Sequence, residues 1–243
     1  QYTALLLLLV GALRYEGRIL RHFRWSECWH PETLLRYFHV GKYLLIRTLM
    51  LQAVMLSFIR YGGTIGVTTL AANSLLMQLF TLFSYFMDGL AYAAEALVGE
   101  AIGARSYARL GQIIRLTLRV GIATALVTSL LYAFVPRPFL ILLTNKEDVL
   151  DYALKYSYWM AAVPLVSFGA FLWDGILVGA TDSKTMGIAM IFAALTFFIA
   201  TELTLPWLGA DGLWLAFLCY LSVRSLIEHF RGSQRIHRLS ANA

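Results

Sequence analysis

Long apolar runs alternate with short polar connections along most of the chain. A helical membrane span needs about 20 apolar residues, and six runs reach that length. We call them the first to sixth predicted spans; they cover residues 40–60, 67–98, 110–135, 149–179, 186–206 and 211–229. A shorter run over residues 2–13 starts abruptly at the first residue, which favours the end of a preceding span in a longer protein. The pattern predicts an all-α polytopic membrane protein, with a six-helix transmembrane lobe and a helix stub.

One long connection separates the stub from the first predicted span. It is basic and aromatic, and the sequence from Trp29 to Glu32 is typical of a helix start, with Pro31 in the first turn. We therefore expect a short interfacial helix at about residues 31–40. The chain is then divided into a stub (1–13), an inter-lobe linker (14–40), the six-helix lobe (41–230) and a tail (231–243).

Lys and Arg are distributed unequally between the two sides of these spans. One side has three: Arg60, Arg137 and Lys146. The other side has fourteen: Arg14, Arg18, Arg21, Arg24, Arg36, Lys42, Arg105, Arg109, Arg115, Lys184, Arg224, Arg231, Arg235 and Arg238. Basic residues concentrate in cytoplasmic loops, so the split predicts that the linker and the C-terminus are cytoplasmic.

Composition agrees with a membrane protein and excludes several other classes. Of the 243 residues, 59% are hydrophobic and 14% are charged, with a mean hydropathy of +0.68; a soluble domain has about 25% charged residues. The net charge of +6 is explained by the cytoplasmic loops, and no basic soluble module is present to bind nucleic acid. Cys28 and Cys219 stand alone, which argues against a disulfide or a metal site.

The second predicted span carries a stripe of polar residues. Steps of three and four place these residues on one helix face: Gln78, Thr81, Tyr85, Asp88, Tyr92, Glu95 and Gly99. The other faces are left to residues that we expect to meet lipid: Leu79, Phe83, Phe86, Leu90 and Leu97. The stripe lines a water-filled cavity or makes hydrogen bonds between helices. Two carboxylates and two tyrosines favour the cavity.

Ionisable residues also interrupt the first and fourth predicted spans. Arg47, with Gln52 deeper, lies roughly 9 Å inward from Gly41, and Asp174 lies roughly 12 Å from Asp182. Asp88 lies roughly 16 Å from Gly99, so all three are in the cytoplasmic half. Because a charged residue inside a membrane seeks a partner or water, we expect Arg47 to pair with Asp174 or with Asp88.

The carboxylate with fewer partners is then the one expected to exchange a proton or bind a cationic substrate. Tyr85 and Tyr92 offer hydroxyls and aromatic faces to such a cation, and Glu95 guards the cytoplasmic mouth. Two other interpretations remain: an ion pair that only joins helices, or an Arg47 side chain that reaches back to the interface. No enzyme or metal motif is found: the sequence has no GxSxG, HExxH or Walker loop and no Cys or His cluster.

Three sequence blocks resemble a known transporter family. Residues 70–74 (LAANS), 87–99 (MDGLAYAAEALVG) and 173–182 (WDGILVGATD) are similar to the C-terminal half of a MATE (multidrug and toxic compound extrusion) transporter, in its DinF-like branch. The resemblance implies twelve helices in two lobes, with residues 14–40 as the link between them. It also implies an N-terminal six-helix lobe as partner, small organic cations as exported substrates, membrane lipid around the helices and a bacterial inner-membrane location.

The resemblance also bears on the coupling ion. The proton-linked aspartate of this branch belongs to the N-terminal lobe, which lies outside this chain. The sodium-using branch has an acidic residue on its seventh helix, where this chain has Arg47 and Gln52. Protons are therefore expected rather than Na⁺, with no cofactor. A lipid-linked sugar flippase of the same superfamily, a membrane enzyme and a structural subunit remain as alternatives.

Overall fold

The computed structural model describes residues 2–15 and 31–241, and these residues are helical apart from short turns. The helices are α1 (Tyr2–Tyr15), α2 (Pro31–Ile65), α3 (Val67–Gly103), α4 (Tyr107–Phe134), α5 (Pro136–Ile141), α6 (Glu147–Lys155), α7 (Ser157–Gly179), α8 (Ser183–Leu208) and α9 (Ala210–Ala241). Two compact units divide the chain between His39 and Val40. All six candidate membrane spans lie in the second unit.

Six helices in the described part of the chain are long and apolar enough to cross a membrane, which confirms the predicted number. Their spanning parts are Gly41–Ile65, Val67–Gly103, Tyr107–Phe134, Ser157–Gly179, Ser183–Leu208 and Ala210–Arg238. Hydropathy predicts such helices well, because a backbone within lipid must satisfy its own hydrogen bonds. The stub is helical as α1, and residues 16–30 of the predicted linker lie outside the described residues.

Three predicted boundaries are wrong. The expected short helix over 31–40 is not separate, since α2 runs without a break from Pro31 to Ile65. The fourth predicted span, 149–179, is two helices, because α6 is amphipathic and buries only Leu150 and Ala153. The last helix passes the predicted end of its span at residue 229 and continues through most of the tail to Ala241.

Alternating spans bring three segments to one end of the lobe: the α3–α4 turn, the α7–α8 turn and the C-terminal end of α9. We call this the basic end. In its two turns Arg105 (φ 52°) and Thr181 (φ 54°) adopt the left-handed conformation. The N–H groups of Ser106 and Asp182 then bond to carbonyls five residues earlier, at 2.9 and 2.8 Å. These Schellman closures fix the ends of α3 and α7.

Helices α3 and α7 run side by side with very little space between their backbones. A Cβ atom added at Gly175 would overlap the backbone of Ala91, and one added at Gly179 would overlap the backbone of Glu95. Asp174 therefore lies next to a residue of α3 that is three positions beyond Asp88. Three residues of helix rise correspond to about 4.5 Å, so the two aspartates lie at nearly the same depth.

The lobe is held together by a core of aromatic and aliphatic side chains. Phe58 of α2 contacts Trp214 of α9, with ring centroids 5.0 Å apart, and Phe80 of α3 contacts Phe217 at 5.4 Å. Leu79 and Phe83 belong to this core and are fully buried. The prediction that Leu79 and Phe83 meet lipid is wrong, because α4 and α7 pack over that face of α3, with Tyr132 at the carbonyl of Leu79 and Phe171 against Phe83; Phe86 and Leu97 are exposed as expected.

Candidate functional site

The polar face of α3 is open. Gln78 is exposed, Tyr85 and Tyr92 are 69% and 70% exposed, and Asp88 and Glu95 are half-buried. The opposite face supplies the core residues Leu76, Leu79, Phe83, Met87, Ala91, Ala94 and Val98. No described helix covers the polar stripe, so these side chains are available to water, to a ligand or to another segment.

A buried cluster of charges lies beside this face. Arg47 of α2 and Arg224 of α9 both donate from Nη2 to Oδ2 of Asp174. The sequence leaves Asp174 and Asp88 as possible partners of Arg47, and in the structure Arg47 pairs with Asp174. Three separate helices therefore meet at one carboxylate oxygen.

Arg224 extends the cluster along α9. Its Nε donates to Oε1 of Glu228, one turn further on, at 3.3 Å. Its guanidinium also lies 5.9 Å from the centroid of the Phe171 ring, close enough for a cation–π contact. Arg224 is 3% exposed and Glu228 is completely buried. Burial of this kind is tolerated only when the charges are paired.

The cluster is formally neutral, with two arginines and two carboxylates. Three of its buried polar atoms have no hydrogen-bond partner among the described residues: Arg47 Nε, Asp174 Oδ1 and Glu228 Oε2. Each is a position where a water molecule or a ligand group would lower the cost of burial. The cluster thus balances its charge internally while keeping unused hydrogen-bonding capacity.

Asp88 differs from the carboxylates of the cluster. It is close enough to interact electrostatically with Asp174, Arg47 and Arg224. No ion pair or hydrogen bond to a described residue holds it. Asp88 therefore adds one uncompensated negative charge, at the border between the buried cluster and the open face of α3.

The other predicted site residues are more scattered. Arg47, Asp174 and Asp88 come together, and Tyr85 and Tyr92 lie one turn to either side of Asp88 on the same helix face. Gln78 instead lines a separate cavity of about 200 Å³ between α2 and α3, with Asn73 and Ser74. Gln52 is exposed on α2 and makes no hydrogen bond to another predicted site residue in the described part of the chain. In the described part of the chain, no three His, Cys, Asp or Glu side chains gather to hold a metal ion.

Two residues of the cluster, Arg224 and Glu228, are absent from the sequence-based site. Arg224 is one of the fourteen basic residues counted towards the cytoplasmic side, but its side chain is buried against Asp174, so it is not a loop residue and does not contribute to the charge split. The sequence does contain a pattern that indicates this pair, because both residues fall within the sixth apolar run and are spaced i, i+4. Like Asp174, they are charged residues inside an apolar run, and such residues need a partner or water.

Comparison with known proteins agrees with this architecture. The MatE family model matches residues 44–201. DNA damage-inducible protein F of Escherichia coli is 35% identical over 191 residues, which is 79% of this chain and 41% of that protein. A probable multidrug resistance protein NorM of Rhizobium meliloti is 26% identical over 244 residues, covering 96% of this chain and 52% of that protein.

A solved structure shares the fold. The outward-facing structure of a multidrug resistance MATE family transporter of the MOP superfamily superposes with a TM-score of 0.72 at 18% identity. The match covers 79% of this chain and 43% of that one. The chain spans about half the length of the relatives that it matches, or somewhat less. With a family model matched over more than half of its residues, the chain belongs to the MatE family.

Proposed function

We propose that this chain forms one lobe of a secondary transporter that exports organic cations in exchange for protons. The proposal rests on the environment of Asp88. This residue is a half-buried carboxylate without a partner in the described residues, on an open polar helix face, beside a charge cluster that is already neutral.

Charge balance explains why Asp88 would take a cation. An uncompensated carboxylate at membrane depth costs about 2.5–3.5 kcal/mol on insertion scales. A bound proton or the positive group of a substrate removes that cost. Since one negative charge accepts only one of them at a time, proton and substrate compete, and competition of this kind couples two fluxes in an antiporter.

Protons are proposed rather than Na⁺ because of the ligands that the lobe offers. The spanning part of α2, Gly41–Ile65, contains no carboxylate, and its polar groups at the site include Arg47. Na⁺ requires several oxygen ligands, and an arginine repels it. A single carboxyl group suffices for a proton, and Asp88 provides one.

We extend the proposal to the architecture of the intact protein. We propose that a second six-helix lobe in the intact protein faces the polar side of α3, so that the substrate binds between the lobes in a bacterial inner membrane. We also propose that the basic end is cytoplasmic. Cysteines introduced at Ser106 and Lys146 should be labelled from opposite sides of the membrane, and labelling from the same side would contradict this topology.

A flippase for lipid-linked sugars is a less suitable function for this site. Such a substrate carries phosphates and would call for unpaired cations in the cavity. Arg47 and Arg224 are both paired with Asp174, and Arg224 is also paired with Glu228. The site as a whole therefore carries a negative excess, at Asp88.

Export by the full-length protein tests the proposal. Everted vesicles with an imposed proton gradient should accumulate a fluorescent organic cation such as ethidium, and Asp88→Asn should abolish that accumulation while the protein still inserts. Glu100→Gln is the matched control, since Glu100 lies on the same helix and forms an exposed ion pair with Arg109. Parental export by Asp88→Asn would overturn the role of Asp88, and export that persists after the gradient is collapsed would exclude antiport.

A further inference from the structure

A groove on the outer surface of the lobe lies away from the polar face of α3. Its volume is about 350 Å³, and it runs between α4 and α9 with α7 as its floor. The walls and floor are mostly apolar, and they include Leu118, Ile122, Phe168, Trp173 and Leu226. Leu226 and Ile122 are exposed, so the groove opens to the surroundings of the lobe.

Two polar side chains, Arg119 and His229, also line this groove. Arg119 is exposed and makes no hydrogen bond or ion pair to the described residues. Its neighbour one turn before, Arg115, donates Nε to the carbonyl of Gly111 instead. Arg119 is thus a cation without a counter-charge among the described residues, next to an apolar surface.

The hydrogen-bonding roles of the two ring nitrogens of His229 follow from its partner. The indole Nε1–H of Trp173 donates to Nδ1 of His229 at 3.1 Å. An indole nitrogen only donates, so Nδ1 must be the unprotonated nitrogen and the ring hydrogen lies on Nε2. Because the imidazole is exposed, Nε2–H is left as a hydrogen-bond donor for a group outside the chain.

The depth of the groove places these donors in one leaflet. Trp173 lies six residues, or about 9 Å, from the end of α7 at the basic end. Arg119 lies deeper on α4, but side chains on a helix lean towards its N-terminus, and the N-terminus of α4 is at the basic end. A flexible Arg side chain that leans this way carries its guanidinium towards the headgroup region.

We propose that the groove binds an anionic phospholipid from the leaflet at the basic end. One acyl chain lies along the apolar walls, and the headgroup phosphate accepts hydrogen bonds from the Arg119 guanidinium and from His229 Nε2–H. Arginine suits this role because its fork of N–H groups matches phosphate oxygens. Basic pockets between transmembrane helices on the cytoplasmic side are typical sites for anionic headgroups.

Charge complementarity is what selects an anionic lipid over a neutral one. A zwitterionic headgroup brings its own ammonium close to the phosphate, which would compete with Arg119. A free phosphate ion would satisfy Arg119 but would leave the apolar groove unfilled. Only a ligand with both an acyl chain and a net negative head uses both halves of the site.

The test uses the full-length protein, purified in detergent and stripped of lipid. Phosphatidylglycerol is titrated while the midpoint of thermal unfolding is followed, in parallel with phosphatidylcholine of the same acyl chains and with inorganic phosphate. Phosphatidylglycerol should raise the midpoint by a few degrees, with neither comparison ligand matching it. Arg119→Gln should raise the apparent Kd for phosphatidylglycerol about tenfold, as expected for the loss of a charge-assisted hydrogen bond.

Matched variants separate the two parts of the site. Leu226→Trp fills the groove from an exposed position and should weaken binding although Arg119 is intact, and Arg119→Lys should restore part of the affinity. Arg137→Gln removes an exposed arginine outside the groove and should bind like the parent protein. If Arg119→Gln does not fold, Leu226→Trp decides the question.

Three results would overturn the proposal. Equal stabilisation by phosphatidylcholine would mean that the groove only makes apolar contacts. Stabilisation by inorganic phosphate alone would mean a simple anion site. Parental affinity for phosphatidylglycerol in both Arg119→Gln and Leu226→Trp would mean that anionic lipid binds elsewhere.

Discussion

The buried charge cluster and the open face of α3 use the same chemistry in opposite ways. Asp174 and Glu228 lie among Arg47, Arg224 and aromatic rings, and their charges are balanced within the chain. Asp88 lies a few ångströms away in depth on a face lined by Tyr85 and Tyr92, and it has no partner in the described residues. The charges of the cluster are balanced by the fold, whereas the charge of Asp88 is not balanced by any of the described residues.

This difference separates a structural role from a functional one. Pairing offsets the desolvation of buried charges, so the cluster resists any change that removes one member. An unpaired carboxylate contributes nothing to packing, so its neutralisation should leave the fold intact. Substitutions in the two regions should therefore separate stability from transport.

The largest effect is expected from breaking the cluster at its centre. Arg224→Leu would leave Asp174 with Arg47 alone and Glu228 with no cation, both inside the lobe. Removing one partner of a buried ion pair costs about 3–5 kcal/mol. The free energy of unfolding in detergent should fall by that amount, and the control Arg231→Leu, at an exposed position of the same helix, should change it by less than about 0.5 kcal/mol.

A second variant sharpens the same point. Arg224→Leu combined with Glu228→Leu removes the stranded carboxylate together with its cation, so the double variant should recover much of the stability that the single variant loses. If the double variant is as unstable as the single one, or if the single variant loses less than about 1 kcal/mol, the cluster does not stabilise the lobe in this way.

How far the sequence predicts these regions depends on the kind of information each one needs. The polar face of α3 follows from spacing alone, because steps of three and four fix the azimuth of Tyr85, Asp88 and Tyr92 on one helix. The sequence does not identify the partner of Arg47. The depth of a residue can be counted along its own helix, but the rotation of one helix relative to another cannot. Asp174 and Asp88 are nearly equal in depth, so only the packing of α2, α3 and α7 separates them.

The errors have physical causes as well. Arg224 counts towards the basic side because it lies near the end of the sixth predicted span, yet its side chain is buried against Asp174 and α9 extends well past it to Ala241. The fourth predicted span includes residues 149–155 of α6 because hydropathy is averaged over a window. The charged residues Glu147, Asp148 and Asp151 mark α6 as an amphipathic helix whose buried side consists of Leu150 and Ala153.

An intermediate effect is expected where the two regions meet. Gly175 allows α7 to approach the backbone of Ala91, and Gly175→Ala would push the two helices apart. Overpacking of this kind costs about 1–3 kcal/mol, and it also shifts Asp174 relative to Asp88. Both the free energy of unfolding and the rate of cation export should therefore decrease.

Gly111→Ala is the control for this substitution. A Cβ atom at Gly111 meets nothing within 4 Å, and alanine favours a helix over glycine by about 0.5–1 kcal/mol, so stability should rise slightly and export should not change. Equal behaviour of the two variants would contradict a close α3–α7 contact at Gly175.

The smallest effect is expected on the open face itself, at Tyr92. A cation held by Asp88 would lie within reach of the aromatic rings one turn to either side, and a cation–π contact is worth about 0.5–2 kcal/mol. Tyr92→Ala should therefore weaken binding of an organic cation to the full-length protein by about 2- to 30-fold, while Tyr92→Phe keeps the ring and should bind almost normally. Because Tyr92 is 70% exposed, neither variant should change the free energy of unfolding by more than about 0.5 kcal/mol. Calorimetric Kd values measured beside unfolding curves distinguish the possibilities: equal weakening in both variants would assign the contribution to the hydroxyl, and loss of stability in Tyr92→Ala would place the ring in the packed part of the lobe.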